Sequence, residues 1–348
     1  MITGANGSGK TNLIDAIHYL CMSRSFVTST DMHAVRRDSS GFDLKGQFSG
    51  AIRPSIDLQV SYERGEGKNI LVNGVRLDRF ADLIGMVPVV VLSPEDRQLT
   101  YEGPEYRRSF LDSLISQVDA RYLQLLVEFR KVLRQRNKTL ISYRDQGNQI
   151  LDLLEPWDVQ YARMASQIIS RRNEILLEFS GYLERSYALM AGVAHTPSFR
   201  YRSFVELDLS PDELEQTLTT KLHERLDRDL ERGSTSIGPH RDEIIFYLDD
   251  MELRRFASQG QHRLFALSLK LAQLYFYSDM LDDLPIFLLD DVFGDLDPNK
   301  TRVLMETLQA HPGQVCITAA NADLLKSLID INDANNHHIK VEKGLLTI

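Results

Sequence analysis

Residues Gly4 to Thr11 read Gly-Ala-Asn-Gly-Ser-Gly-Lys-Thr and fit the spacing G-x-x-x-x-G-K-[ST]. Three glycines let a backbone curl until successive N–H groups point at one anion, with no Cβ in the way. Lys10 can place its ammonium between the outer phosphates of a nucleotide, and the Thr11 hydroxyl can ligate Mg²⁺. The run Gly4, Ala5, Asn6, Gly7, Ser8, Gly9, Lys10, Thr11 and Asn12 is therefore the candidate nucleotide-binding loop. Far along the chain, four apolar residues (Ile286 to Leu289) end in Asp290-Asp291, the pattern of a buried strand delivering two carboxylates. Asp290 is the candidate partner of Thr11 for Mg²⁺, and Asp291 the group that orients or deprotonates an attacking water. Ser258, Gly260 and Gln261 stand before a strongly helical run, His262 to Tyr277, another arrangement that suits an anion.

These groups need elements to hold them. Leu13, Ile14, Ile17 and Leu20 give Asn12–Leu20 a helical apolar stripe, so the helix N-terminus faces the phosphates. Only Met1-Ile2-Thr3 precede the loop, whereas strands typically run about 5–6 residues. The expectation is a strand cut short, or a true start upstream. Residues 42–48 and 56–60 alternate apolar and polar, and 70–77 is a hairpin with Asn73-Gly74 at its turn. An antiparallel sheet after the loop and its helix is unlike a simple doubly wound fold. Val87 to Leu92 reads as a buried strand ending in Ser93-Pro94-Glu95-Asp96. Those carboxylates can sense Mg²⁺ or water, or merely start a helix with Ser93 as its cap. Gln314 to Thr318 adds a last strand, with Thr318 at the carboxyl end where ligands of open α/β sheets sit.

Between Gly103 and Gly233 the pattern is helical, near 104–145, 156–192 and 211–231, punctuated by Pro156, Pro197 and Pro211. Arg130, Lys131, Arg134, Arg136, Lys138 and Arg144 lie in a stretch with no acidic residue before Asp145. Arg130, Arg134 and Lys138 share one helix face, a candidate contact for a phosphate backbone or plain solvated surface. Arg24 and the pair His240-Arg241 are chemically eligible for a site, with ordinary loop or turn roles equally open.

Hydrophobic content of 43% and charged content of 26% are those of a globular protein, and 348 residues suffice for roughly two domains. No membrane-span run or signal-peptide layout is present. Cys21 and Cys316, both beside apolar residues, read as buried free thiols that suit a reducing cytoplasm. A net charge of −9 argues against a nonspecific nucleic-acid coat but leaves room for a local basic face.

Ser258-Gln259-Gly260-Gln261 resembles the signature loop of ABC-type ATPases, and Gly294-Asp295-Leu296-Asp297 their D-loop. Within that superfamily the chain resembles the RecF family of bacterial recombination-repair ATPases. The stretches that carry this are Gly4–Thr11, LSPED (92–96), EGPEYRRSFLD (102–112), LRQRN (133–137), IGPHRDE (237–243), SQGQHRLFALSLKLA (258–272) and LLDDVFGDLD (288–297). The resemblance implies an α/β ABC-type head, with a mixed sheet and an antiparallel subdomain, plus a compact helical arm. Residues 1–103 and 284–348 would form the head, and 104–283 the arm carrying the signature loop. It further implies weak ATP hydrolysis with Mg²⁺ and ATP-dependent dimers in which Ser258 and Gly260, supported by Gln261, reach the partner's γ-phosphate. Binding to gapped duplex or single/double-strand junctions, partnership with RecR and RecO, and loading of RecA complete the expectation. Two strands that precede the loop in this family are missing here, and Thr318, Ala319, Ala320 and Asn321 stand where ABC heads carry a switch histidine. His337-His338 lies too far on to replace it and reads as solvated. Three rivals remain: an ATP-binding DNA clamp that does not hydrolyse, a chromosome-organising SMC-type head, and a transporter ATPase, against which the IGPHRDE loop and the large helical insert speak. The second is disfavoured by a helical region of only about 130 residues.

Overall fold

The run Ile286–Leu289 is buried at every position, as a strand covered on both faces must be. Around it, the computed structural model describes residues 1–143, 149–192, 195–320 and 333–347, apart from the side chains of Gln149 and Asp295. Arg144 and Asn321 lie outside the described residues. The described strands, in chain order, begin with β1 (Ile2–Thr3), β2 (Gly41–Phe48), β3 (Ile56–Glu63), β4 (Gly67–Val72), β5 (Val75–Arg76) and β6 (Val89–Leu92). They continue with β7 (Pro197–Arg202), β8 (Glu243–Leu248), β9 (Met251–Glu252), β10 (Ile286–Leu289), β11 (Val315–Ala319), β12 (Ile339–Glu342) and β13 (Leu345–Thr347). The chain divides into two compact units, Met1–Arg97 with Arg185–Thr196 and Gln259–Ile348, and Gln98–Glu184 with Pro197–Ser258.

The first unit holds a six-stranded sheet in the order β13-β12-β1-β11-β10-β6, parallel except for β13. A separate antiparallel sheet, β2-β3-β4-β5, follows the helix Lys10–Met22 in sequence. Its last turn, Asn73-Gly74, has both residues at positive φ, the conformation of a two-residue hairpin with the twist of its strands. Ile14, Leu20 and Cys21 of that helix share one core with Leu58, Val60 and Ile70 of the antiparallel sheet and Val89 and Leu288 of the parallel one. Each such aliphatic side chain stabilises by roughly 1.5–3 kcal/mol on full burial, so the core fastens the helix to both sheets. The fold is α/β with a mixed sheet and an antiparallel subdomain, as expected. Cys21 is fully buried and Cys316 partly so, and neither is in a disulfide.

The division differs from the expected one at the helix Gln259–Met280, which falls with the first unit rather than with the arm. Its residues Leu264 to Leu274 are all buried, Lys270 and Gln273 included. Lys270 Nζ lies 2.8 Å from Asp96, whose other oxygen accepts the Ser93 N–H at 2.8 Å. Helical periodicity shows that a segment is a helix, and it leaves open which neighbour covers it.

The second unit contains the β7-β8-β9 sheet and the helices Pro104–Val118, Ala120–Ser142, Pro211–Glu224 and Leu226–Arg232, together with most of Gln149–Ala191. Pro156 lies inside that last helix rather than at its boundary. A proline removes one N–H and crowds the carbonyl four residues earlier, a local loss that a 43-residue helix outlasts. The unit's interior includes buried, paired charges. Arg136 is fully buried, donating from Nε to Asp158 at 2.6 Å and from a terminal nitrogen to Asp229 at 2.8 Å and Thr235 at 2.9 Å. Arg172, also buried, donates to Asp112, the Tyr122 hydroxyl and the Pro239 carbonyl at 2.7–3.0 Å. The segment 237–243 threads through this network. Asp242 accepts from Tyr201 at 2.5 Å and from Ser203 at 2.9 Å. Burial pushes its carboxyl up to about 6, against those hydrogen bonds and Arg172.

Candidate functional site

Gly4 to Gly9 run from the end of β1 into the helix Lys10–Met22, turning at Gly9 with φ +110°, a conformation that favours glycine. At Gly4 a Cβ would sit 2.3 Å from the Val341 carbonyl oxygen and 2.7 Å from Ser8 Oγ, so the loop is packed to the limit on β12. The helix has no side-chain cap at its N-terminus and no acidic residue in its first turn. Its leading N–H groups are thus left for an anion. Ser8 Oγ is buried and without a hydrogen-bond partner among the described residues, while Ala5, Asn6, Gly7 and Asn12 are exposed. Lys10 is buried, and its Nζ donates to the Gly4 and Ala5 carbonyls at 2.8 and 3.0 Å, which curls the ammonium over the loop. An orphan hydroxyl, an uncapped helix end and a cation folded over a glycine cradle fit a phosphate chain.

Thr11 and Asp290, 279 residues apart, meet. Thr11 Oγ1 donates to Asp290 at 2.8 and 3.1 Å, and Asp290 is 6% exposed. A buried carboxylate beside a hydroxyl is a hard-oxygen donor set of the kind Mg²⁺ takes alongside phosphates. Asp291 is exposed and has φ +50°, uncommon for a residue other than glycine. Its N–H donates to Thr318 Oγ1 at 2.9 Å, and Thr318 in turn donates to Asp290 at 2.7 Å. Sequence reasoning placed Thr318 at the right strand end without seeing this bridge. On the loop's own helix, Asp15 accepts from Ser25 Oγ at 2.7 Å and from the Phe26 N–H at 2.8 Å, tethering residues 25–28. Burial raises the Asp15 carboxyl, and those hydrogen bonds oppose the shift.

Ser258, Gln259 and Gly260 are exposed at the start of the helix Gln259–Met280, and Gln261 is half-buried. Other candidates turn out to be occupied. Asp96 serves Lys270 and the Ser93 N–H rather than standing open to a metal. His240 bonds the Thr235 carbonyl and Tyr161, and burial lowers it to about 4, which keeps it neutral. Arg241 is exposed. His338 bonds Thr3 Oγ1 at 2.7 Å and is not simply solvated. Of the basic cluster, Arg130, Lys131, Arg134 and Lys138 are exposed, whereas Arg136 belongs to the buried network. A signal was available: Tyr122, Leu126, Phe129, Val132, Arg136 and Leu140 form the buried stripe of their helix.

A family described as the RecF/RecN/SMC N-terminal domain matches residues 1–343. The DNA replication and repair protein RecF of Salinibacter ruber is 39% identical over 348 residues, covering 99% of this chain and 84% of that one. The RecF of Chloroherpeton thalassium is 38% identical over 324 residues, covering 91% and 87%. The chain belongs to the RecF family. A solved structure of the recombination mediator protein RecF with ATP, in the RecFOR pathway, is 29% identical to this RecF-family chain. It superposes with a TM-score of 0.89 over 100% of this chain and 92% of the other. An SMC head bound to the C-terminal winged-helix domain of ScpA, 14% identical with a TM-score of 0.53, shares the fold. ABC-type ATPase membership follows from the family, and among the described residues no helix is long and apolar enough to cross a membrane.

Proposed function

We propose that this chain is an ATP-dependent DNA-repair protein that dimerises on ATP, binds gapped duplex or single/double-strand junctions, and turns ATP over slowly. The observation that carries this reading is the Thr11–Asp290 contact beside the glycine cradle, with Asp291 at its edge. In this reading the loop N–H groups and Lys10 bind the phosphates of ATP, and Thr11 and Asp290 hold Mg²⁺. The metal, when bound, supplies charge neutralisation across the outer phosphates. Asp291 accepts a proton from, or orients, the attacking water; it is one methylene shorter than a glutamate would be, which suits a slow switch. Ser258 and Gly260, with Gln261 in support, act on the nucleotide of a second copy, and their exposure supports this. Kinship with RecF proteins supports stimulation of hydrolysis by DNA, partnership with RecR and RecO and help in loading RecA.

The test is the solution mass of Asp291→Asn by light scattering, with Mg-ATP, with and without a gapped duplex. A doubling of mass on ATP, strengthened by the duplex, is expected; a monomer under every condition overturns the reading. Adding Ser258→Arg to that protein is expected to abolish the dimer while ATP affinity by titration stays within about two-fold, since the affected nucleotide belongs to the other copy. A dimer that survives removes Ser258 from that role.

The exposed face of Arg130, Arg134 and Lys138 is the proposed contact for the DNA backbone. Reversing all three to glutamate is expected to flatten the slope of log Kd against log salt by about 2 to 3. Fluorescence anisotropy with a gapped duplex at several salt concentrations reads this directly, and an unchanged slope returns the face to solvent.

A further inference from the structure

The Asp290-Asp291 pair has to be held by something. β10 ends at Leu289, so both residues lie just beyond the ladder. Thr11 Oγ1 lies within hydrogen-bond distance of both Asp290 oxygens, nearer Oδ2 at 2.8 Å than Oδ1 at 3.1 Å, and in this reading its hydroxyl also serves the metal. The other hold comes from β11, which lies between β1 and β10 in the sheet. Thr318 is fully buried there. A hydroxyl has one proton and two lone pairs. Thr318 Oγ1 accepts the Asp291 N–H at 2.9 Å, which leaves its own proton for Asp290 Oδ1 at 2.7 Å. One side chain thereby fixes the orientation of the buried carboxylate and pins the left-handed backbone that presents Asp291 outward. Nothing about threonine packing in a strand requires both bonds; valine has nearly the same shape and makes neither.

We propose that Thr318 is a positioning residue for hydrolysis: through Oγ1 it sets the geometry of Asp290 toward Mg²⁺ and of Asp291 toward water. The proposal rests on the ATPase reading above, and it assigns Thr318 no contact with nucleotide.

Three proteins test it: wild type, Thr318→Ser and Thr318→Val, with Thr318→Ala as a second loss variant should the valine protein fail to fold by circular dichroism. Three readouts are taken: amide hydrogen exchange of residues 288–292 in the nucleotide-free protein, the Mg²⁺ concentration for half-maximal ATP binding, and kcat with KM. Thr318→Val is expected to speed exchange at 288–292, raise the Mg²⁺ requirement several-fold and lower kcat by about 10- to 100-fold, as loss of a supporting hydrogen bond to a metal ligand does. KM for ATP should move little, because the phosphate cradle is intact. Thr318→Ser, which keeps both bonds, should behave as wild type within about three-fold. Wild-type kcat, Mg²⁺ requirement and exchange in the valine protein overturn the proposal, as does a serine protein as impaired as the valine one. Should wild type bind Mg-ATP without turning it over, the hydrolytic reading falls, and with it the role toward water. The exchange and Mg²⁺ readouts then still decide whether Thr318 holds the pair.

Discussion

Lys10→Met is expected to weaken ATP binding by about 100-fold, roughly 3 kcal/mol, while leaving the protein folded. Lys10 is buried at the mouth of the loop, and its ammonium already bonds the Gly4 and Ala5 carbonyls. Those carbonyls can take water when the cation is removed, because Ala5 is exposed and Gly4 half-exposed. On the proposed reading, a phosphate chain in the cradle would have no such substitute: besides Mg²⁺, its charge would be met by N–H groups and by this one side chain of the loop. The loss therefore falls on binding rather than on stability. Titration with a fluorescent ATP analogue and a thermal melt separate the two, and unchanged affinity removes the loop from the nucleotide site.

Arg136→Met is expected to do the opposite, destabilising the second unit by about 3–5 kcal/mol without touching the nucleotide loop. Arg136 is 0% exposed and bonds two carboxylates, Asp158 and Asp229, the second of them also fully buried. Removing the guanidinium leaves both acids in a medium that opposes their charge. Burial already raises the Asp158 carboxyl, and Arg136 is the largest influence bringing it down. Lysine is no remedy, since an ammonium cannot reach Asp158, Asp229 and Thr235 with the planar fork that guanidinium provides. Urea unfolding at pH 7, followed by the fluorescence of Trp157 beside Asp158 in sequence, measures the effect. A shift below about 1 kcal/mol would mean that the network is held by its other members.

These two basic residues show where sequence reading succeeds and where it stops. Lys10 stands out as a candidate because its motif is local: eight consecutive residues carry the glycines, the cation and the hydroxyl at fixed offsets. Asp290-Asp291 was legible for a similar reason, since four apolar residues ending in two acids define a strand and its terminus. The helices, most strand positions and the Asn73-Gly74 turn likewise follow from short-range pattern. Arg136 counts with the basic stretch on charge alone, although its place in the apolar stripe through Phe129, Val132 and Leu140 points it inward. Pro156 misled in the opposite sense, since breaking propensity was allowed to override a helix long enough to absorb one lost hydrogen bond.

By itself, the sequence determined the α/β class and the family, and it singled out a glycine-rich loop and an acid strand end as candidates. Each of these is written in neighbouring residues or in the order of short motifs. Tertiary structure alone decided that Thr11 meets Asp290 directly and that Thr318 braces both acids. It also decided that Asp96 belongs to Lys270, that the segment 237–243 is a buried polar knot, and that the helix after Ser258 belongs with the first unit. The physical reason is the same in every case. A buried polar group must find a partner, and a chain of this length offers many candidates tens or hundreds of residues away. Which one is met depends on how sheets and helices stack, and no local pattern records that.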